Sequence, residues 1–128
     1  MLLPTQQFEL YSEWSEAIEA ADARAAFYYL IGIAASSRRY VCHAQWKGEV
    51  RDFRFIDASS NQQPYSFITN QRWLLFYFRA PAVRSGVQTR DAIAARFDSF
   101  NENTAGEWTV KLASLADVDR LSQVIAWQ

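Results

Sequence analysis

The sequence predicts an α+β fold, with residues 1–128 forming a single domain in which helices pack on a sheet of about five strands. Helical spacing of apolar residues near the start changes to strand-like alternation after residue 39, and helical spacing returns near residue 89. The length of 128 residues fits one domain. Apolar residues make up 50% of the chain and aromatic residues 16%, a composition typical of a packed globular core.

The first predicted element is a helix from Ser12 to about Ala35. Ser12 is a suitable N-cap, and Trp14 and Ile18 recur on one face. Asp22 is also a suitable N-cap, so the pattern is compatible with a kink in the helix at that point. The segment AAFYYLIGIAA, residues 25–35, is apolar around most of its circumference. Such a helix is expected to be buried on several sides, by the sheet or by a second subunit.

Residues 40–57 are predicted to form a β-hairpin, because apolar and polar residues alternate on both sides of Lys47-Gly48. A two-residue turn at Lys47-Gly48 sets the predicted register, in which His43 faces Asp52. Apolar side chains then fall on one face of the hairpin and charged ones on the other.

A polar loop at 58–64 leads to a short strand at 65–69 and a longer strand at 72–80, which completes a meander of about four strands. The longer strand is apolar on both faces. We interpret one set as core, Leu74, Phe76 and Phe78, and the other as a surface for an interface or ligand, Trp73, Leu75 and Tyr77.

Pro81 ends this strand, and residues 81–88 are predicted to be a loop before a helix from about Thr89 to Phe100. A turn at NENTAG precedes a strand at 107–113. A right-handed crossover is expected to place that strand parallel to strand 72–80, giving a mixed sheet. Ser114 and Asp117 then form a capping-box pattern at the start of a last helix, whose predicted inner face is Leu115, Val118, Leu121 and Ile125.

Charge is unevenly distributed although the net charge is only −1. Residues 1–22 carry five acids and no base, residues 23–96 carry 11 bases against four acids, and residues 97–128 carry two bases against five acids. The basic middle is mostly arginine, which suits planar contacts to phosphate or carboxylate. The simpler interpretation is that acidic helices neutralise a basic sheet.

Catalytic and metal chemistry have little support in the sequence. His43 and Asp52 form the one acid–base pair that the hairpin suggests, and an ordinary cross-strand polar pair explains them equally well. Cys42 points away from His43 on an alternating strand, which favours a small core residue over a nucleophile. One cysteine and one histidine do not make a Cys/His zinc site, so we expect no metal and no cofactor.

Arginines and aromatic residues are interleaved in the basic middle, as they are on surfaces that bind single-stranded nucleic acid. The candidate binding residues are Arg38, Arg39, Arg54, Arg72, Trp73, Tyr77 and Arg79.

We therefore expect a non-catalytic binding or interaction domain that self-associates as a homodimer, because its apolar surface exceeds what one small core needs. Single-stranded nucleic-acid binding through the arginine and aromatic residues is the first alternative, and a small enzyme that uses His43 and Asp52 is the second. A protein partner also stays open. The start MLLPTQQFEL lacks a basic region typical of a signal peptide, and no apolar stretch is long enough to span a bilayer. A cytoplasmic protein without a membrane partner is the corresponding expectation.

Overall fold

The computed structural model describes residues 1–3 and 7–128, and the side chains of residues 1–3 and 10–128. The described helices are α1 Gln7–Glu16, α2 Ala21–Ser36, α3 Ala80–Ser85, α4 Arg90–Arg96 and α5 Leu115–Ser122. The described strands are β1 Tyr40–Lys47, β2 Val50–Asp57, β3 Tyr65–Thr69, β4 Leu74–Phe78, β5 Asn101–Glu102 and β6 Trp108–Leu112. The predicted α+β class is confirmed.

The strands form one sheet in the order β1-β2-β3-β4-β6-β5, and every pair of neighbouring strands is antiparallel. One face of this sheet is the core. Its central side chains are fully buried aromatic and aliphatic groups, and they include Phe53, Phe55, Phe67, Leu74, Phe76 and Val110. Because side chains alternate along a strand, the intervening residues form a second face.

Helices α1, α2 and α5 pack on the core face. The buried side of α2 contributes Phe27 and Leu30, and α5 contributes Val118 and Leu121. Residues 17–20 separate α1 from α2, so the single predicted helix is two helices. The break lies close to Asp22, where the sequence was compatible with a kink. Arg24 stabilises this break, since its guanidinium donates to the carbonyl of Ile18 at 2.7 Å at the end of α1.

The predicted start of the first helix at Ser12 is wrong, because α1 begins at Gln7. The start of the last helix is confirmed. Ser114 is its N-cap and accepts from the amide of Asp117 at 3.4 Å, and the Asp117 carboxylate accepts from the amide of Ala113 at 2.8 Å. Leu115, however, is 45% exposed and does not belong to the inner face of α5.

The hairpin exists, but its predicted register is wrong by two residues. Lys47 pairs with Val50, so the two-residue loop is Gly48-Glu49. Gly48 has φ +64, and glycine at the first position of a short hairpin loop is the residue that adopts such a backbone readily. His43 consequently lies opposite Arg54, and Gln45 lies opposite Asp52. A shift of two residues keeps every side chain on its predicted face.

The predicted parallel pairing and the mixed five-stranded sheet are also wrong. Strand β6 runs antiparallel to β4, with Phe78 opposite Trp108. The segment predicted as a loop at 81–88 contains α3, which has Pro81 in its first turn, where a missing amide hydrogen costs no helical hydrogen bond. After α4, the chain forms the short strand β5, which the sequence did not predict. A tight turn at 103–107 then leads from β5 into β6. Among the described residues, no helix is long and apolar enough to cross a membrane.

Candidate functional site: the open face of the sheet

The second face of the sheet has no buried apolar layer of its own, and we call it the open face. Most of its side chains are partly exposed, whereas those of the core face are buried. The open face consists of Val41, His43, Gln45, Lys47, Val50, Asp52, Arg54, Ile56, Ser66, Ile68, Trp73, Leu75, Tyr77, Arg79, Asn101, Glu107, Thr109 and Lys111.

A continuous row of side chains crosses the middle of the open face from strand to strand. Each residue in the row pairs directly with the next: His43, Arg54, Ser66, Tyr77 and Thr109. The row is polar, and two of its members, Ser66 and Thr109, are buried beneath their longer neighbours. This row gives the face its hydrogen-bonding groups.

A parallel row beside it combines aliphatic and charged residues. Ile68 and Leu75 face each other at its centre, with Asp52 next to Ile68 and Lys111 next to Leu75. On the other side of the polar row, Val41 pairs with Ile56. Aliphatic groups therefore flank the polar row on both sides.

The arginines of the open face already have acidic partners. The Arg54 Nε lies 2.7 Å from Asp52 Oδ2, and the Arg79 Nε lies 2.6 Å from Glu107 Oε2. The Asp52 side chain is only 5% exposed, so its charge depends on Arg54 for compensation. Arg79 also donates to Ser66 Oγ at 3.2 Å. These pairs anchor both guanidinium groups to other side chains of the open face.

The aromatic residues of the open face lie under cations. Lys111 Nζ is 4.2 Å from the centre of the Trp73 ring, and the Arg79 guanidinium carbon is 5.5 Å from the centre of the Tyr77 ring. Cation–π attraction at such distances stabilises each pair. One side of each ring is consequently engaged within the chain.

His43 has a pKa below its ordinary value. Partial burial is the main cause and the neighbouring Arg54 charge adds to it, while Asp52 opposes both. The imidazole is therefore neutral at pH 7. The catalytic interpretation of His43 and Asp52 stays a prediction. Asp52 has Arg54, two residues along the same strand, as its close partner, and the observed register places Arg54 opposite His43.

The predicted binding residues divide into two groups. Arg54, Trp73, Tyr77 and Arg79 share the open face. The other three lie outside it. Arg38 is exposed between α2 and β1, Arg39 lies at the end of the sheet near Asp57, and Arg72 is exposed in the connection between β3 and β4.

Lys111 and Glu107 complete the open face but were not among the predicted binding residues. The alternation of β6 already placed Lys111 on the outer side, and only the antiparallel register brings it next to Leu75 and Trp73. Glu107 was missed because only the antiparallel register of β4 and β6 places it next to Arg79, its ion-pair partner.

Cys42 lies on the core face, where burial raises the pKa of its thiol to about 12. It is therefore protonated and unreactive at neutral pH. Within the described part of the chain, no group of three or more His, Cys, Asp or Glu residues is arranged to hold a metal ion.

No protein-family model, no curated protein and no solved structure matches this chain.

Proposed function

We propose that this protein is a non-catalytic binding domain that self-associates through the open face of its sheet. The observation that carries the proposal is the pairing of Ile68 with Leu75 at the centre of a face whose arginines are already neutralised. A second copy of the chain placed on this face buries aliphatic groups without separating a charge from its partner.

The charge of the open face supports a second copy over a polyanion. Arg54, Arg79, Lys111 and, at its edge, Lys47 carry four positive charges, and Asp52 and Glu107 carry two negative ones. A surface with this small net charge repels its own copy only weakly, whereas a strongly basic one repels its copy and attracts nucleic acid instead.

The size of the face limits the affinity. Four gaps between the five longer strands span about 19 Å, and five residues along each strand span about 17 Å. The resulting flat area of roughly 300 Å² is well below the ~800 Å² per partner of a typical stable interface. We therefore expect a weak dimer that forms and dissociates with concentration, with a Kd of about 1 μM or weaker.

Sedimentation equilibrium over a range of concentrations tests this proposal with a matched pair of variants. Leu75→Glu introduces a charge at the centre of the open face, and Leu115→Glu introduces the same charge at an exposed leucine of α5. We expect the wild-type chain and Leu115→Glu to show the same concentration-dependent mass, and Leu75→Glu to sediment as a monomer. A wild-type chain that stays monomeric at the highest concentrations contradicts the proposal.

The exposed side of α2 is the competing surface for self-association. Tyr28 and Tyr29 are 54% and 43% exposed there, and residues 25–37 carry no charge. Tyr28→Glu is therefore a third variant in the same experiment. Dissociation by Tyr28→Glu but not by Leu75→Glu would assign self-association to α2 and overturn the assignment to the open face.

Binding of single-stranded nucleic acid is a second candidate, favoured by the presence of Trp73, Tyr77 and Lys111 on one face. Bases stack on such rings while cations contact phosphates. Fluorescence anisotropy with oligo(dT) and oligo(rU) tests it. Affinity that falls steeply as salt rises and drops about tenfold or more in Trp73→Ala would support this candidate, because stacking contributes about 1–3 kcal/mol per base. Salt-independent or undetectable binding would exclude it.

A further inference from the structure

A separate cleft of about 210 Å³ opens at one end of the sheet, and we call it the end cleft. Four parts of the chain line it: the start of β1, the end of β2 with the connection to β3, the region from α3 to Gln88, and the segment after α5. The end cleft lies on the core side of the sheet, since Tyr40 and Tyr65 belong to the core. It is therefore distinct from the open face.

Two buried tyrosines form one wall of the end cleft. Tyr40 is 2% exposed and Tyr65 is 5% exposed, and their rings pack edge to face with centroids 5.8 Å apart. The Tyr65 hydroxyl oxygen accepts from Gln88 Nε2 at 2.8 Å. This bond uses the Tyr65 hydroxyl oxygen as an acceptor, so the Tyr65 O–H hydrogen remains able to donate to a ligand in the cleft.

Gln88 adds an acceptor to this wall. Its side-chain nitrogen donates to Tyr65 and to the carbonyl of Val124 at 3.0 Å, which fixes the orientation of the amide. The Gln88 side chain is buried, and its Oε1 has no hydrogen-bond partner in the described part of the structure. Because buried polar groups are nearly always hydrogen bonded, this oxygen is available as an acceptor for a donor that enters the cleft.

The mouth of the end cleft is electrically neutral. Arg39 Nε lies 3.5 Å from Asp57 Oδ2, and the two charges cancel. Asp57 is firmly ionised, because bonds from Ser59 and Ser60 and the nearby Arg39 hold its pKa at about 2. The Asp57 carboxylate would repel an anion approaching Arg39, and Arg39 would repel a cation approaching Asp57.

Apolar groups complete the walls, contributed by Pro64, Pro81, Ala82, Val87 and Val124. The combination of apolar walls with a few convergent hydrogen-bonding groups is typical of small-molecule sites. The volume is below the roughly 300–1,000 Å³ of sites for drug-sized ligands, so the ligand is small.

We infer that the end cleft binds a small neutral polyhydroxyl compound, such as a linear polyol or a monosaccharide. A hydroxyl group both donates and accepts, so that one such ligand supplies an acceptor for the Tyr65 O–H and a donor for Gln88 Oε1. Its C–H groups contact the apolar walls, and its lack of charge suits the cancelled charges of Arg39 and Asp57.

Chemical-shift titration of the ¹⁵N-labelled full chain tests this inference with glycerol, myo-inositol and D-glucose as neutral probes and with acetate and inorganic phosphate as anions. We expect at least one neutral probe to produce saturable shifts in residues 39–40, 57–65, 82–88 and 124–126, and the anions to produce none there. Saturable shifts at these residues with an anion but with no neutral probe would overturn the inference, as would the absence of saturable shifts with every probe.

Three variants assign the binding to the named groups. Tyr65→Phe removes one hydroxyl at constant ring volume, Gln88→Leu removes the buried amide, and Gln123→Leu repeats that change at an exposed glutamine outside the cleft. We expect affinity to fall about tenfold or more in the first two, since one lost hydrogen bond of about 1.4 kcal/mol has that effect, and to be unchanged in Gln123→Leu. Because Gln88→Leu also leaves buried groups unpaired, Tyr65→Phe decides the question if Gln88→Leu does not fold. Wild-type affinity in Tyr65→Phe would contradict the inferred role of the Tyr65 hydroxyl group.

Discussion

On strand β4, neighbouring residues occupy opposite environments: Phe76 is fully buried beneath the helices, while Leu75 and Tyr77 on either side of it are partly exposed on the open face. The core face is an apolar layer in which aromatic rings contact one another, as Phe53 and Phe67 do with centroids 4.8 Å apart. The open face is instead a network of polar pairs with aliphatic groups beside it.

An apolar run on a strand therefore does not by itself define two cores. Every apolar residue of β4 that faces the helices is buried, and every one on the other side is left partly accessible. The core face gains its stability by removing apolar area from water. The open face retains apolar area that a second molecule can remove from water, and this is why we propose it as the binding surface.

The largest expected change in the free energy of unfolding comes from truncating neighbouring side chains on β4. Phe76→Ala is expected to lower the free energy of unfolding by about 3–5 kcal/mol, because it leaves a cavity in a closely packed core. Leu75→Ala is expected to cost only about 1 kcal/mol, because water already reaches this side chain. Urea denaturation measures both. Equal losses would show that the open face is as closed as the core face.

Two buried groups of the core face lead us to expect that stability falls at alkaline pH. Burial raises the pKa of the Cys42 thiol from 9.0 to about 12 and that of Tyr11 from 10.0 to about 12. Between these values the folded chain holds protons that the unfolded chain has released, so the free energy of unfolding falls as pH rises above about 9. The slope approaches about 1.4 kcal/mol per pH unit for each such group.

Denaturation at a series of pH values from neutral towards the folded pKa of about 12 measures this slope. Cys42→Ala removes one of the groups and is expected to make the slope shallower, even if it lowers stability at every pH. A free energy of unfolding that is constant or rises above pH 9 would contradict the sign.

Sequence reasoning predicted which residues share a face but not which residues touch. The alternation of β1 and β2 placed His43 and Arg54 on one side, and a turn displaced by one residue moved every pairing by two positions without changing the sides. The choice between Lys47-Gly48 and Gly48-Glu49 depends on a single backbone angle at Gly48, and both loops have turn-forming composition.

The direction of β6 was not predictable from alternation, because a strand has the same pattern when it is read either way. It depends on α3, which was not predicted because Pro81 was interpreted as the start of a loop. It also depends on the strand β5, which is only two residues long. The end cleft was missed for a related reason. Arg39, Tyr65 and Gln88 come from distant parts of the sequence, and each looks ordinary in its own segment.

A smaller effect distinguishes the ion pairs of the open face from ordinary surface pairs. Arg54→Ala leaves the buried carboxylate of Asp52 without its cation and is expected to cost about 1–3 kcal/mol of the free energy of unfolding. Arg90→Ala breaks a pair with Glu102 in which the side chains are 56% and 44% exposed, and it is expected to cost about 0–1 kcal/mol. Thermal and urea denaturation of the two variants provide the comparison. A similar cost for both would mean that Asp52 is better hydrated than its burial indicates.

The smallest expected effect concerns the helix layer that covers the core face. Gly32 lies on the exposed side of α2, and a Cβ added there meets nothing within 4 Å. Gly32→Ala is therefore expected to raise the free energy of unfolding by about 0.8–1 kcal/mol through helix propensity alone. Gly48→Ala is the matched control. It also meets open space but has φ +64, so the same methyl group is expected to cost about 1 kcal/mol.

Sedimentation of Gly32→Ala also distinguishes the two candidate surfaces for self-association. If the chain self-associates through the open face, the added methyl group lies far from the contact and the Kd of the dimer is unchanged. If two copies instead pack α2 against α2, Gly32 lies on the uncharged exposed side of that helix, and a methyl group there separates the two helices and weakens the dimer. A more stable monomer with a weaker dimer would therefore transfer the binding surface from the sheet to the helix.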